Sequence, residues 1–223
     1  MSEASRTFFS FSFFKIDPKW RWMADLAKEE SAKEVEHVIR NSKIRCRTYS
    51  TLGLRDDAEF LFWFAADTVD EIQSVISKIY STVFGKYIIP SHVYLSSTRP
   101  SIYAKTGKVP SFVEGEEAKK HVIVYPFIKT REWYLLPLEK RKAMMDEHIT
   151  IGHKYPQITL NTTYSFGIHD EDFMLAFETD DLHAFQDLIM ELRETQVSRY
   201  IQQDTPMIVC VKKDIIPLVS SLG

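Results

Sequence analysis

Cysteine is scarce in this chain: 223 residues hold only Cys46 and Cys210, far apart and without the CxxC spacing of a zinc knuckle. Two such thiols build no disulfide framework and fit a reducing compartment. Glycine is sparse too, at seven residues, and there is no glycine-rich phosphate loop and no GxSxG elbow. Charge of one sign is not in excess: 28 basic residues stand against 31 acidic ones, net -3, which removes the electrostatic reason to expect nucleic acid or an anionic membrane as partner. Clusters such as Lys28-Glu29-Glu30 and Lys33-Glu34 read as a solvated helix face. No apolar run approaches the ~20 residues that cross a bilayer. The aromatic stretch from Phe8 to Phe14 is interrupted by serines and preceded by no basic region, so it suits a strand better than a signal peptide. The expectation is a soluble, cytoplasmic protein.

What the chain does have is a near-repeat of itself. The segment from Thr48 to Phe60, TYSTLGLRDDAEF, returns with two single-residue gaps as TYSFGIHDEDF from Thr163 to Phe173. On both sides of that turn the offset is 113: Phe14 answers Phe127, Trp20 answers Trp133, Phe64 answers Phe177, Asp67 answers Asp180, Gln73 answers Gln186 and Tyr87 answers Tyr200. A repeat this long is no solenoid; it is one fold motif used twice. The copies differ on their first long helix. His148 falls opposite Val35, whereas His37 falls opposite Thr150, roughly 200° further round a helix.

Each half reads strand, helix, strand, strand, helix, strand. The first places these at about 7–14, 18–40, 44–51, 59–65, 69–84 and 91–96, the second at about 120–128, 136–152, 157–166, 172–178, 181–200 and 206–212. Thr68 with Glu71 predicts a capping box, Asp180 marks the equivalent helix start, Pro18 and Pro137 suit first helical turns, and Gly53 and Gly167 mark hairpin turns. The βαββαβ order is the ferredoxin-like arrangement, in which helices cover one face of an antiparallel sheet. The predicted fold class is α+β, with duplicated ferredoxin-like halves packed sheet to sheet as a dimeric α+β barrel. Residues 1–96 form the first half, 120–223 the second, and the polar, breaker-rich 97–119 the linker.

Among residues that carry chemistry, His148 has Met144 four before it and Ile151 three after, on an apolar flank of its helix. A neutral imidazole there suits an axial iron ligand beside a flat hydrophobic cofactor; the alternative is a satisfied half-buried histidine. His169-Asp170-Glu171-Asp172 reads as a cation site or, like its counterpart Arg55-Asp56-Asp57, as a hairpin turn. Asn161-Thr162-Thr163 is a glycosylation sequon by letters only, and His148 with His153 lacks the zinc-protease spacing.

The run Tyr125-Pro126-Phe127-Ile128-Lys129, then Trp133-Tyr134-Leu135-Leu136-Pro137, then Met144-Met145-Asp146-Glu147-His148 with Gly152 and Tyr155, resembles the chlorite dismutase family. Leu192-Arg193-Glu194-Thr195, Ser198-Arg199-Tyr200 and Asp204-Thr205-Pro206 are similar to it as well. The resemblance implies two ferredoxin-like halves, a homo-oligomer, often a pentamer, and haem b or coproheme with its iron as cofactor, in a family of haem-dependent chlorite dismutases and coproheme decarboxylases. By the same resemblance His148 matches the proximal iron ligand, Tyr125 the tyrosine beside a reacting propionate, Lys129 a basic residue next to it and Trp133 a tryptophan near the porphyrin. Tyr103 and Arg99 match propionate contacts, and Glu194 or Gln196 the group that orients the histidine. Where chlorite-degrading members place a distal arginine, this chain has Asn161, so the resemblance implies peroxide-dependent oxidation, with coproheme as substrate, rather than chlorite dismutation. A phenol that passes through a radical state and a lysine that moves a proton suit that reaction. Read without the family, Tyr125 is a strand tyrosine and Trp133 a core residue. The rival functions are a non-catalytic haem carrier, a family member that has lost haem, and an α+β barrel for another small molecule.

Overall fold

The computed structural model describes residues 6–103 and 110–223, so part of the predicted linker, 104–109, lies outside the described residues, as do residues 1–5. In chain order the elements are β1 (Phe8–Ile16), α1 (Asp25–Arg40), β2 (Arg45–Ser50), β3 (Phe60–Ala66), α2 (Val69–Ser81), β4 (Ile88–Ser97), α3 (Ser111–Glu114), β5 (His121–Lys129), α4 (Arg131–Leu135), α5 (Leu138–Gly152), β6 (Thr159–Tyr164), β7 (Phe173–Thr179), α6 (Leu182–Arg193), β8 (Ile201–Gln203), β9 (Ile208–Lys212) and α7 (Ile215–Ser221). The chain divides into two compact units. The first runs to Ser97 and takes in Ile208–Gly223; the second is Thr98–Met207.

In the first unit β1 lies between β4 and β3, and β2 flanks β3, all antiparallel, with β9 added beside β2 at Tyr49–Lys212 and Ser50–Val211. Period-two alternation sorts the aromatic strands onto two faces. Phe14, Phe60, Phe62 and Phe64 meet Trp20, Ala32, Val35, Ile72, Val75 and Ile79 in one fully buried cluster, and Phe11 stacks on Trp63 (5.2 Å between rings) on the opposite face. The predicted capping box holds: Glu71 N–H donates to Thr68 Oγ1 (3.3 Å) and Thr68 N–H to Glu71 Oε2 (3.2 Å). The helix expected over 18–40 is split. Asp17 Oδ1 caps a 3₁₀ turn, Pro18–Trp22, and α1 starts afresh at Asp25. Lys28, expected on a solvated face, is buried; its Nζ donates to Arg21 O (3.4 Å) and pairs with Asp25 (3.6 Å).

The second unit repeats the order, with β7 between β6 and β5 and β8 beyond β5. The helix expected over 181–200 is α6 followed by a 3₁₀ turn, Gln196–Tyr200. Its cap is Asp181, one residue beyond the predicted Asp180: Asp181 Oδ1 accepts from His183 and Ala184 N–H, while Asp180 Oδ1 takes Lys120 N–H (2.8 Å). Gly53 and Gly167 sit at φ +75° and +72°, the left-handed conformation that both hairpin turns need.

The duplication extends to single contacts. Phe14 pairs with Phe60 across β1–β3, and Phe127 with Phe173 across β5–β7. Trp20 packs 5.5 Å from Tyr87, Trp133 5.6 Å from Tyr200. Asp17 N–H donates to Tyr87 O, Thr130 N–H to Tyr200 O. Glu59 Oε2 accepts from Ile16 N–H (2.7 Å), and Asp172 Oδ2 from Lys129 N–H (2.8 Å).

Candidate functional site

In the second unit Tyr125, Phe127 and Lys129 share one face of β5. Phe177, opposite Ile123 on β7, carries that face: its ring stacks on Tyr125 (5.9 Å, 7°) and meets Phe185 of α6 (5.2 Å), so this is the helix-covered side of the sheet. At the end of β5 the Lys129 ammonium lies 5.2 Å from the Phe127 ring and 4.5 Å from the Trp133 ring, a cation–π contact from α4. The backbone there is pinned by Asp172, whose Oδ2 accepts from Lys129 N–H and from the Tyr134 hydroxyl (2.7 Å). Burial disfavours the charged amine and takes Lys129 down to about 7, with Asp172 pulling the other way.

His148 comes from α5. That helix is tied at its C-terminal end to α6, where Tyr155 and Lys154 donate to Glu191 (2.6 Å each). Gln196 N–H donates to Glu147 Oε2 (3.3 Å). Burial, then the nearby Lys129, lowers His148 to about 4, so the imidazole is neutral at pH 7 and keeps a lone pair. Its Nδ1 is buried and has no hydrogen-bond partner among the described residues. Glu194 and Gln196 are exposed, so neither supplies one.

The underside of α5 differs from that of its counterpart. Helix α1 buries Lys28, Ser31, Ala32 and Val35, whereas α5 buries no residue and leaves Met144, Met145, His148 and Ile149 half-exposed. A neutral unpartnered imidazole, flanked by half-exposed apolar side chains and within electrostatic reach of the Lys129 amine, fits an iron porphyrin: a nitrogen for the metal, an apolar wall for the ring and an amine for an acidic substituent.

The other expected residues divide. Tyr103 joins the group, with its ring 6.2 Å from Trp133 and its hydroxyl accepting from Arg141 Nη1 (3.3 Å). Tyr125 is almost wholly buried, which raises its phenol well above the ordinary range; the charges nearest it are Asp204 and Arg193, themselves 3.4 Å apart. Arg99 stands instead beside Tyr164. Asn161 does not join. Opposite Ala176 on β7, it lies on the sheet face away from Tyr125 and is saturated there. Asn161 Oδ1 accepts from Ser111 N–H (2.8 Å), and its Nδ2 donates to Glu178 Oε1 (3.0 Å) and Ala176 O (3.3 Å). Its neighbour Leu160, opposite Phe177, has the Tyr125 face. In the 169–172 turn the side chains bond locally: His169 Nδ1 meets Glu171 Oε2 at 2.8 Å. No group of three or more metal-capable side chains occurs among the described residues.

Comparison with known proteins decides the family. The chlorite dismutase family model matches residues 28–213. The chain belongs to the chlorite dismutase family. A coproheme decarboxylase of Mycolicibacterium smegmatis is 35% identical over 175 residues, 78% of this chain and 75% of that protein. Among solved structures, the imidazole complex of the chlorite dismutase from Candidatus Nitrospira defluvii superposes with a TM-score of 0.89 at 22% identity, covering 99% of this chain and 96% of that one. A variant of the same enzyme with cyanide gives the same score, identity and coverage. At that identity the structures bear on fold, and they carry the duplicated ferredoxin-like α+β architecture across this chain. Family membership brings haem-type iron as the cofactor class and a haem-dependent function.

Sequence reasoning missed Asp172, Arg141 and the environment Arg193 gives Tyr125. Asp172 had a signal in the repeat, since it stands 113 residues after Glu59. No helix among the described residues is long and apolar enough to cross a membrane.

Proposed function

We propose that this protein is a peroxide-dependent coproheme decarboxylase, with the site in the second unit, Thr98–Met207, which holds His148, Lys129, Tyr125 and Tyr103. The observation that carries the reading is the neutral, unpartnered His148 set near a lysine of lowered proton affinity, with Tyr125 four residues before that lysine on one strand face. His148 would hold the iron; Trp133 and the flank of α5 would wall the ring. Bound iron porphyrin supplies one-electron oxidation driven by peroxide, and coproheme is also the substrate. Each turn removes a propionate carboxylate as CO2 and leaves a vinyl group. Per propionate, one H2O2 takes up two electrons and, with one proton from solvent and one from the substrate, becomes two waters.

The chain's own residues suit the remaining steps. Tyr125 stays protonated at every working pH, so its O–H can be given up as a hydrogen atom rather than a proton. Lys129, near 7, is poised to bind a propionate as ammonium or to take a proton as amine. Arg193 near Tyr125 already has Asp204 as its counter-ion, which leaves Lys129 as the cation next to this strand face.

We also place the protein in the cytoplasm, which its two free thiols support, and assign it a homo-oligomer, a pentamer as the resemblance implies. Trp22 and its counterpart Leu135 are 90% and 84% exposed, large apolar side chains that a subunit interface would cover. Light scattering on the purified chain reads the state directly. The test of function is titration of the apo-protein with ferric coproheme followed by the Soret band, then addition of peroxide and chromatography of the porphyrins. Stepwise loss of carboxylates supports the reading; tight binding without turnover leaves a haem carrier, and no binding removes haem chemistry altogether.

A further inference from the structure

The structure assigns Arg141, held against the Tyr103 hydroxyl that the resemblance already places at a propionate, as a specificity residue in a subsite for one peripheral carboxylate of the porphyrin; this rests on the porphyrin reading above. Arg141 and His148 are both on α5, seven residues apart, so they share a face and stand roughly 10 Å apart along the axis. That is comparable to the reach from a porphyrin's metal to its outer carboxylates. Arg141 is half-buried, its Nε is buried with no hydrogen-bond partner among the described residues, and Nη1 reaches only the Tyr103 hydroxyl (3.3 Å). It forms no ion pair with a carboxylate among the described residues.

The first half shows what is missing. At the repeat offset Arg141 answers Lys28, and Lys28 has partners: the Arg21 carbonyl and, three residues earlier on its helix, Asp25. The position that answers Asp25 is Leu138. The second half therefore keeps the cation and has lost its counter-ion, an arrangement that costs free energy unless a ligand brings the negative charge. A guanidinium with a free edge is the side chain that takes a carboxylate through two parallel N–H bonds. Tyr103, 6.2 Å from Trp133, joins this subsite to the wall next to Lys129.

The experiment uses full-length apo-protein and two iron-free ligands, coproporphyrin III and its tetraamide, so that binding is read by fluorescence without iron ligation or turnover. The variants are Arg141→Leu, Arg141→Lys and Leu138→Asp, the last restoring the carboxylate found in the first half. Arg141→Leu is expected to weaken coproporphyrin binding on the order of 10- to 100-fold, leaving the tetraamide unchanged, and Arg141→Lys to recover part of the loss. Leu138 is 42% exposed, so Leu138→Asp should fold and lower coproporphyrin affinity in the same direction by pairing with Arg141. If Arg141→Leu and Leu138→Asp both bind coproporphyrin as tightly as the parent, or if both ligands weaken alike, the subsite is refuted while the porphyrin reading stands. A parent protein that binds neither porphyrin overturns that reading itself.

Discussion

The two halves of this chain share a frame down to individual hydrogen bonds and part company at the positions that carry chemistry. Where the first half has Ile16, Val35 and Asp25, the second has Lys129, His148 and Leu138. In the first half Val35 and Ile16 are inaccessible or nearly so and complete a packed core, while the exposed Asp25 serves as counter-ion to the buried Lys28. The second set opens the equivalent region. At two of the three positions a titratable group replaces an aliphatic one, at the third an aliphatic side chain replaces a carboxylate, and the helix that carries His148 and Leu138 buries nothing. A fold that is already stable in one copy tolerates destabilising, ligand-seeking groups in the other, the expected division between a structural and a functional region.

The sharpest way to break the comparison is to exchange the two helix positions. His148→Ala should cost ferric coproheme affinity more than the roughly 10- to 100-fold typical of losing an outer-shell partner, with the Soret spectrum changed. Val35→His should gain no ferric site and lose about 2–4 kcal/mol of stability, because an imidazole enters a packed core with no partner. Chemical denaturation and Soret titration of both variants decide it; a Val35→His protein that binds iron porphyrin as the parent does would dissolve the distinction.

The tryptophans come next. Trp20 and Trp133 are both buried, each against the equivalent tyrosine. Trp20→Ala should cost about 3–5 kcal/mol and leave the porphyrin affinity of folded protein untouched. Trp133→Ala should cost similarly in stability and lower porphyrin affinity as well. Equal affinities in the two variants would make Trp133 plain core.

Lys129 gives a test with a pH signature. Its folded amine titrates near 7 against an unfolded value near 10.5, so folding excludes a proton that the unfolded chain binds between those values. The penalty is fully present below pH 7 and disappears as pH rises to about 10.5. Lys129→Met should therefore stabilise the apo-protein on the order of 2–4 kcal/mol at pH 7, with the gain shrinking at alkaline pH, while abolishing decarboxylation. Ile16→Lys should do the reverse to stability. Thermal melts of the four proteins across pH 6–10 would show both trends, and a Lys129→Met gain that is flat with pH would contradict the assignment.

Most of this architecture was legible because the repeat made each half a check on the other, giving the same order of strands and helices twice, and Thr68 with Glu71 fixes a helix start from letters alone. The Met144 and Ile151 spacing marked His148 as a histidine on an apolar flank, but it was the family resemblance that gave it a role. Asn161 was not legible, since strand side chains alternate and one position of register decides the face; the amide that looked available is spent on Ser111, Ala176 and Glu178. Arg141 was hidden for another reason. Whether a cation is paired depends on neighbours brought in by packing, and its counterpart Lys28, buried rather than solvated, shows how little a charged run says about exposure. Short α4, β8 and α7 fall below the length at which periodicity speaks.

The smallest effect probes the tie both halves share. Glu59 and Asp172 each fix the end of a first strand through a backbone N–H, and each takes a second donor from the following turn or helix, Arg21 in one half (3.1 Å) and Tyr134 in the other (2.7 Å). Glu59→Gln and Asp172→Asn should each cost about 1–2 kcal/mol, the worth of weakened bonds to a charged acceptor. Beyond that they diverge. Asp172 raises the proton affinity of Lys129 against the effect of burial, so Asp172→Asn should move the lysine's titration below its present value near 7, and with it the limb of the pH–rate profile that Lys129 sets. Glu59→Gln has no titrating partner at Ile16 and should leave that profile where it is. Lysine side-chain NMR on both apo-proteins reads the shift without any turnover, and an unmoved Lys129 in Asp172→Asn would reduce Asp172 to the same structural part that Glu59 plays.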